Sequence, residues 1–501
     1  MEPETVRNWV ACAAARHPDK PYLISVEDGR AISYRKLGLL IERIRAFFAE
    51  EGIGPGDRVA LLANNSLEHV IVYLGTLAAG ATICTVHVEM NAVHFDTILP
   101  ALAPRLVIYE EGLGLETAAN ATDARVMRLG RWEREGGQGF FAALPQAPNA
   151  PDPSGSPTDD AVIYFTSGTG SRPKGVVLTY REILSNGAAI ADGFGIRADD
   201  RVYDYRSFNW ASAQLLGALA TLSKGATLLL RRRFSRRRFF DDIARHGATV
   251  AAGNPTVIAM LLAGEEAARA TGLRFVTSSS APLSADDWRR FEERFGVRVA
   301  QGYGTSETGW IAACPETERR IGTAGKPLPY LELAIVDRDG RALPPEGIGR
   351  VEVGGFAGNE YRYLGDDGTP RVNAIGRVRT GDMGFLDTDG YLHITGRESD
   401  LIIRGGVNIS PLEIDNALTG LAGIVEAATV GVPDPVYGEE VVSHVVLAPG
   451  ASLSPHDILD WCAARIPAFK APKRIYVRSS LPKTERGKLD RKALARDLQE
   501  G

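Results

Sequence analysis

Short apolar runs alternate with amphipathic stretches along the first part of the chain, and this alternation constrains the fold more than any other feature. Tyr34 to Glu50 places Leu37, Leu40, Ile41, Ile44, Phe47 and Phe48 at the spacing of one helix face. Gly52-Ile-Gly-Pro-Gly56 ends that helix. Arg58 to Ala63 then reads as a buried strand, Glu68 to Ala79 as a helix, Thr82 to Val86 as a second strand and Arg105 to Tyr109 as a third. Strands joined through helices pair in parallel, and a parallel sheet is covered by helices on its faces. The mostly apolar run from Val70 to Val86 is broken by Gly75, Gly80 and three threonines. It is shorter than the roughly 20 residues a membrane span takes, so it reads as a buried helix followed by a strand.

Residues 145–160 are rich in proline and read as a flexible connector leading into the strand Ala161 to Phe165. A second α/β stretch runs to about residue 320, and short alternating strands with Gly-rich turns from about 321 to 395 predict a small β-rich subdomain. After residue 400 the chain restarts as a compact α/β unit, with strands at Val425 to Gly431 and Val441 to Leu447. Ser454-Pro455 offers an N-cap and a first-turn proline to a helix carrying Ile458, Leu459, Cys462 and Ile466.

Charge and cysteine usage exclude several classes. Among 501 residues, 57 basic and 62 acidic side chains leave a net charge of −5, against a dedicated nucleic-acid binder. Cys12, Cys84, Cys314 and Cys462 have neither zinc-site nor disulfide-framework spacing. The acidic N-terminus lacks the apolar core of a signal peptide. The expectation is a cytoplasmic enzyme with no membrane partner. His87, Glu89 and His94 read as scattered positions rather than a metal site.

The sharpest local signal is Tyr164-Phe-Thr-Ser-Gly-Thr-Gly-Ser-Arg-Pro-Lys-Gly-Val176, a strand entering a Gly- and hydroxyl-rich loop. Phosphate needs N–H donors that can approach closely, hydroxyl donors and a cation. Glycine permits the approach, and Lys174 supplies the charge. A Walker loop needs Gly before its Lys and Ser or Thr after it. Here Pro173 and Gly175 flank Lys174, which disfavours a P-loop kinase or ATPase.

This segment resembles the signature loop of the adenylate-forming superfamily, which includes acyl-CoA synthetases, peptide-synthetase adenylation domains and luciferases. Four further segments resemble its motifs in order: Gly302-Tyr-Gly-Thr-Ser-Glu-Thr308, Arg379-Thr-Gly-Asp-Met-Gly384, the stretch Gly396 to Ile414, and Leu481-Pro-Lys-Thr-Glu-Arg-Gly-Lys-Leu-Asp-Arg491. The resemblance runs from about residue 20 to 492. It implies a large N-terminal domain, 1–398, of two α/β subdomains and a small β-rich one, then a small mobile α+β C-terminal domain, 399–501.

The resemblance also implies roles. Lys488 is the adenylation lysine, with Glu307 and Thr166 completing the catalytic set. ATP is expected at Thr166, Ser167, Gly168, Thr169, Gly170, Lys174, Ser280, Ala281, Tyr303, Gly304, Thr305, Asp382, Arg397 and Lys488. Tyr303 stacks on adenine, Asp382 and Arg397 meet the ribose, and Glu307 helps hold Mg²⁺. Asn209, Trp210, Ala211, Ala252, Ser279, Gly302 and Gly309 line the acid pocket, which Trp210 shortens. Ser399 is the hinge, Gly405 and Gly406 let a pantetheine arm pass, and Tyr437, Phe469, Lys470 and Lys473 grip coenzyme A. The run Arg231 to Arg238, with six arginines in eight residues, reads as a solvated edge or as a cradle for the CoA 3′-phosphate. Ser235 is the expected N-cap of the helix after it.

The implied reaction joins a small carboxylic acid to ATP as an acyl-adenylate, releases pyrophosphate, and passes the acyl group to CoA. The alternative acceptors are a carrier-protein thiol or an amine. A non-catalytic scaffold predicts loss of Lys488 or Glu307, and both are present. A homodimer is left open. Ser399 stands where the family usually has Asp or Lys, and residues 85–94 depart from the usual pattern. Arg172-Pro-Lys and Arg404-Gly-Gly faintly resemble the crotonobetaine/carnitine–CoA ligase branch.

Overall fold

The apolar strands of the first third pair in parallel, as their helical crossovers require. The computed structural model describes residues 5–88, 92–120, 122–133, 138–152, 155–166, 174–265, 272–355, 360–365, 367–483 and 489–498. In it Arg58–Leu62 lies between Thr82–Thr85 and Leu106–Tyr109, with Arg125–Arg128 beyond the latter. Asp160–Thr166 runs parallel to Thr82–Thr85 and turns back through Lys174–Thr179. The helix Tyr34–Glu50 starts where Ser33 accepts from the Lys36 N–H, and it buries the apolar face that its spacing predicts. The helix Leu67–Ala78 is buried along its whole length, with Ser66 as its cap. No helix among the described residues is long and apolar enough to cross a membrane.

A second sheet of nine strands has the order Lys326–Pro327, Gly309–Ala313, Arg298–Thr305, Phe275–Ser278, Val250–Ala251, Arg201–Asp204, Thr227–Leu230, Pro21–Ser25 and Ala31–Ser33. Its middle pairings are parallel. One of its strands, Pro21–Ser25, comes from before the first sheet in sequence. A third, antiparallel sheet joins Glu332–Val336, Gly349–Gly354, Val378–Leu386 and Leu392–Arg397. The fourth sheet, between 402 and 478, carries its own cores. Ile402, Ile414, Leu418, Val441, Val445 and Ile458 pack on one side, and Val430, Val432, Val442, Leu481 and Leu494 on the other. Ser454 and Asp457 form a capping box on the helix Pro455–Ala463, the start that Ser454-Pro455 predicts. The α/β class and the succession of two α/β layers, a β-rich subdomain and a small C-terminal unit match the expectation.

Three local expectations change. Within the 321–395 region, Glu360–Leu364 and Pro370–Ile375 leave the small sheet and extend the first one beyond Lys174–Thr179. The Pro-rich connector is not a loose tether where it is described. Arg43 donates to the carbonyls of Leu144 and Pro145, Arg45 donates to that of Pro151, and Arg7 pairs with Asp152. Ser235 precedes a short 3-10 turn, Arg236–Arg238, without a side-chain capping bond, and the helix proper begins at Phe239.

Candidate active site

In a mostly parallel sheet, ligands bind beyond the carboxyl ends of the strands. The expected acid-pocket residues fall there in spatial order. Asn209, Trp210 and Ala211 follow Arg201–Asp204; Ala252 follows Val250–Ala251; Ser279 follows Phe275–Ser278; Gly302 lies in Arg298–Thr305, and Gly309 opens the next strand. A Cβ at Gly302 would lie 2.7 Å from Phe194 and 2.8 Å from Trp310. Gly309 has φ +67° and backs onto Asn186, where a Cβ would lie 2.6 Å from its amide. These two glycines therefore let the backbone close against its own core.

The loop carrying Asn209 is held across the two α/β layers. Asn65 accepts from the Phe208 N–H at 2.8 Å and donates to the carbonyls of Arg206 at 2.7 Å and Arg231 at 3.1 Å. Asn209 donates to the Ala63 carbonyl at 3.1 Å. The Asn209 Oδ1 and Ser279 Oγ atoms are buried with no hydrogen-bond partner among the described residues. Gln214, wholly buried, donates to Thr85 Oγ1 at 2.7 Å and to the Phe208 carbonyl. It opens a π-helical turn, Gln214–Leu219, a local irregularity frequent beside functional sites. His87 lies against Trp210, ring centroids 4.9 Å apart. Asn65 and Gln214 had no sequence signal; both act through pairings between distant segments.

The described residues expected at the nucleotide are drawn mainly from three sheets. Tyr303 donates to Asp382 Oδ2 at 2.6 Å, and Arg397 Nε lies 3.2 Å from Oδ1 of the same carboxylate. Asp382 and Arg397 are direct cross-strand partners. Burial, with Asp382 beside it, pushes the Tyr303 hydroxyl well above its ordinary pKa, so it stays a donor. Thr305 Oγ1 lies 3.0 Å from Thr308 Oγ1 and accepts from the Thr308 N–H. A Cβ at Gly304 would lie 2.3 Å from the Gly309 carbonyl oxygen, which holds this turn tight. Ser280, beside Ala281, has φ +74°, a left-handed conformation that non-glycine residues adopt at a cost of roughly 1 kcal/mol or more.

Thr166 ends its strand opposite Lys174 in the pairing. Ser167, Gly168, Thr169, Gly170 and Lys488 lie outside the described residues, as does Glu89. Lys174 Nζ sits 5.5 Å from the ring centroid of Tyr363, whose hydroxyl donates to Glu307 Oε1 at 3.5 Å. Tyr363 was not singled out by its sequence context. Among the described residues no three His, Cys, Asp or Glu side chains gather to hold a metal by themselves. Mg²⁺ is commonly held by one or two carboxylates plus substrate phosphates, the part expected of the single carboxylate Glu307.

On the C-terminal unit, Gly405 and Gly406 have φ +57° and +81° at a hairpin tip. The Gly405 N–H donates to the Tyr437 carbonyl at 2.8 Å. The Arg404 guanidinium lies 4.1 Å from the Tyr437 ring centroid and is held by Glu440. Tyr437 and Phe469 are 45% and 48% exposed, so each ring offers surface to a stacked partner. Lys470 pairs with Glu413 at 2.8 Å, and the Lys473 N–H donates to the Val441 carbonyl. Ser399 donates to Asp400 within the turn Glu398–Asp400. Glu398 pairs with Arg350 at 2.7 Å and Asp400 faces Arg491 at 3.8 Å. In the arginine run, Arg231 pairs with Asp242 and Arg232 with Glu110, while Arg233 and residues 236–238 are exposed.

The family model for AMP-binding enzymes matches residues 10–358, and that for the AMP-binding enzyme C-terminal domain matches 413–488. The chain is 33% identical to the sulfoacetate–CoA ligase of Cupriavidus necator, covering 98% of both chains. It is 31% identical to the oxalate–CoA ligase of Arabidopsis thaliana over the whole of both. The ATP-bound crystal structure of MatB from Rhodopseudomonas palustris superposes with a TM-score of 0.86 at 27% identity, over 99% of each chain. By these matches the chain belongs to the AMP-binding enzyme family as an AMP-forming acid–CoA ligase, which adenylates a carboxylic acid at the expense of ATP and hands the acyl group to CoA.

Proposed function

We propose that the acid is short and carries a second polar group. The observation that carries this reading lies at the residues expected to line the acid pocket. Trp210 packed on His87 closes one side, while the buried Asn209 Oδ1 and Ser279 Oγ have no partner among the described residues. A buried polar atom left unpaired costs roughly 1–3 kcal/mol, so such a pocket favours a ligand that supplies hydrogen bonds. The relatives named for sulfoacetate and oxalate act on two-carbon acids, which supports the short length; their second acidic group accepts hydrogen bonds, so of these two atoms it would meet the Ser279 hydroxyl.

In this reading Tyr303 stacks on adenine, while Asp382 and Arg397 hold the ribose. Lys174, Thr166, Thr305 and the loop 167–170 take the phosphates, with Ser280 and Ala281 alongside the nucleotide. Glu307 would hold Mg²⁺, which would supply neutralisation of phosphate charge. A carboxylate is a poor nucleophile toward a polyanion, so alignment and charge neutralisation carry the step. Lys488 bridges the acid carboxylate and the α-phosphate. The acid oxygen attacks the α-phosphorus, and pyrophosphate leaves. The C-terminal unit, 399–501, then turns about Ser399 against 1–398 and presents Gly405 and Gly406. The CoA thiol, its nucleotide held by Tyr437, Phe469, Lys470 and Lys473, attacks the acyl carbonyl, and AMP leaves. The cytoplasm, which supplies ATP and CoA, is its compartment.

The test is pyrophosphate release with ATP and Mg²⁺ over acids graded in length and polarity, with and without CoA, the thioester being identified by mass spectrometry. Turnover confined to short, doubly polar acids supports the reading. A preference for long alkyl acids overturns it, and CoA-independent adenylate build-up returns the acceptor to a carrier thiol or an amine.

A further inference from the structure

We propose that Tyr363 is a positioning residue that sets the metal carboxylate Glu307 and the phosphate lysine Lys174 on two parts of one side chain. This rests on the roles given above to those two residues. The sheet explains the meeting. Glu360–Leu364 pairs with Lys174–Thr179 so that Tyr363 stands opposite Val176 and Leu364 opposite Gly175. Lys174 lies two residues from Val176, on the same face of the strand, which makes it the diagonal neighbour of Tyr363. The strands approach closely because residue 175 is glycine; a Cβ there would lie 3.0 Å from Leu364 Cβ and 3.2 Å from the Phe165 ring.

The two ends of Tyr363 do different work. Its ring faces the Lys174 ammonium at 5.5 Å, a cation–π contact that orients the cation. Its hydroxyl donates to Glu307 at 3.5 Å and aims that carboxylate. The strand that carries Tyr363 thus couples the edge of the first sheet to a loop of the second, at the point where a nucleotide triphosphate and its metal are received.

The two ends are separable by substitution. Equilibrium binding of ATP to the full chain, without acid, is measured calorimetrically in Mg²⁺ and in EDTA. Tyr363→Phe keeps the ring and loses the hydroxyl. Its metal-dependent gain in ATP affinity is expected to fall about fivefold, with metal-free binding unchanged. Tyr363→Leu loses both ends, and its metal-free binding is expected to fall about threefold as well. Glu307→Gln combined with Tyr363→Phe should cost no more than Glu307→Gln alone. The proposal is overturned if Tyr363→Phe keeps the full metal-dependent gain, if the Phe and Leu variants behave alike, or if both merely lower the melting temperature with binding intact. If Glu307→Gln itself leaves the metal-dependent gain untouched, the role of Glu307 is what fails.

Discussion

Tyr303 and Asp382 stand 79 residues apart in sequence, on strands of different sheets, and their side chains meet at 2.6 Å. The hydroxyl fixes one oxygen of the carboxylate while Arg397 flanks the other. Tyr303→Phe keeps the adenine platform and frees Asp382. The KM for ATP is expected to rise about fivefold, the loss of one hydrogen bond, with kcat for adenylation little changed. Asp382→Asn removes the charged acceptor and is expected to cost at least about tenfold in kcat/KM for ATP. Pyrophosphate exchange measures both; equal, small effects would argue against a ribose role.

Lys488→Ala is expected to abolish adenylation yet leave thioester formation from a supplied acyl-adenylate largely intact. Separate assays of the two half-reactions decide this. An equal fall in both would remove the specific role of this lysine.

Trp210→Ala opens the pocket wall that the ring shares with His87. A methylene in an apolar pocket is worth about 1–3 kcal/mol, so acids longer by one or two carbons should gain at least about tenfold in kcat/KM relative to the best short acid. An unchanged ranking over a homologous series would place Trp210 outside the pocket.

Ser399 lies between two oppositely anchored neighbours, Glu398 on Arg350 and Asp400 facing Arg491. Ser399→Pro fixes φ at the turn and restricts the residue before it. Thioester formation is expected to slow by about tenfold or more while pyrophosphate exchange persists, the order of loss that misplaced reacting groups bring. A loss confined to pyrophosphate exchange would move the pivot elsewhere.

His69 is wholly buried against Phe208, and burial pushes its pKa down to about 4. The unfolded value is about 6.5. Between these values the unfolded chain binds a proton that the folded one refuses, so stability rises with pH. The contribution is complete above about pH 6.5 and is lost as pH falls toward 4. Between pH 7.5 and 5.5 the wild type should lose roughly 1 kcal/mol through this residue. Urea unfolding of His69→Leu at the two pH values should show a loss smaller by that amount. An identical pH dependence would mean that another group carries it.

Much of the parallel framework was legible because its signals are local. The helix Tyr34–Glu50 has an apolar face at helical spacing and a serine cap just ahead of it. The Tyr303 turn and the strand of Asp382 were legible as short motifs whose glycines, hydroxyls and charges sit close in sequence. The Tyr363 contacts were not. Glu360–Leu364 reads as a short strand of a β-rich stretch, and nothing in its alternation tells which sheet it joins. The anchoring of the Pro-rich connector was hidden for a related reason, since the arginines that hold it lie on helices far upstream. Composition reports a segment's own preference, and these outcomes depend on a partner elsewhere in the chain.

The stitching of the two large sheets has a consequence for synthesis. Pro21–Ser25 waits for Thr227–Leu230 before it gains its parallel neighbour, and Lys174–Thr179 stays an open edge until Glu360–Leu364 has left the ribosome. Contacts this distant in sequence are slow to form, and unpaired strand edges are where nascent chains associate wrongly. Of these two edges, the one bearing Lys174 is closed last. The strand carrying Lys174, proposed to meet the phosphates, is therefore among the last parts of the N-terminal half to be completed, and no cut between the two α/β layers leaves either with all its strands.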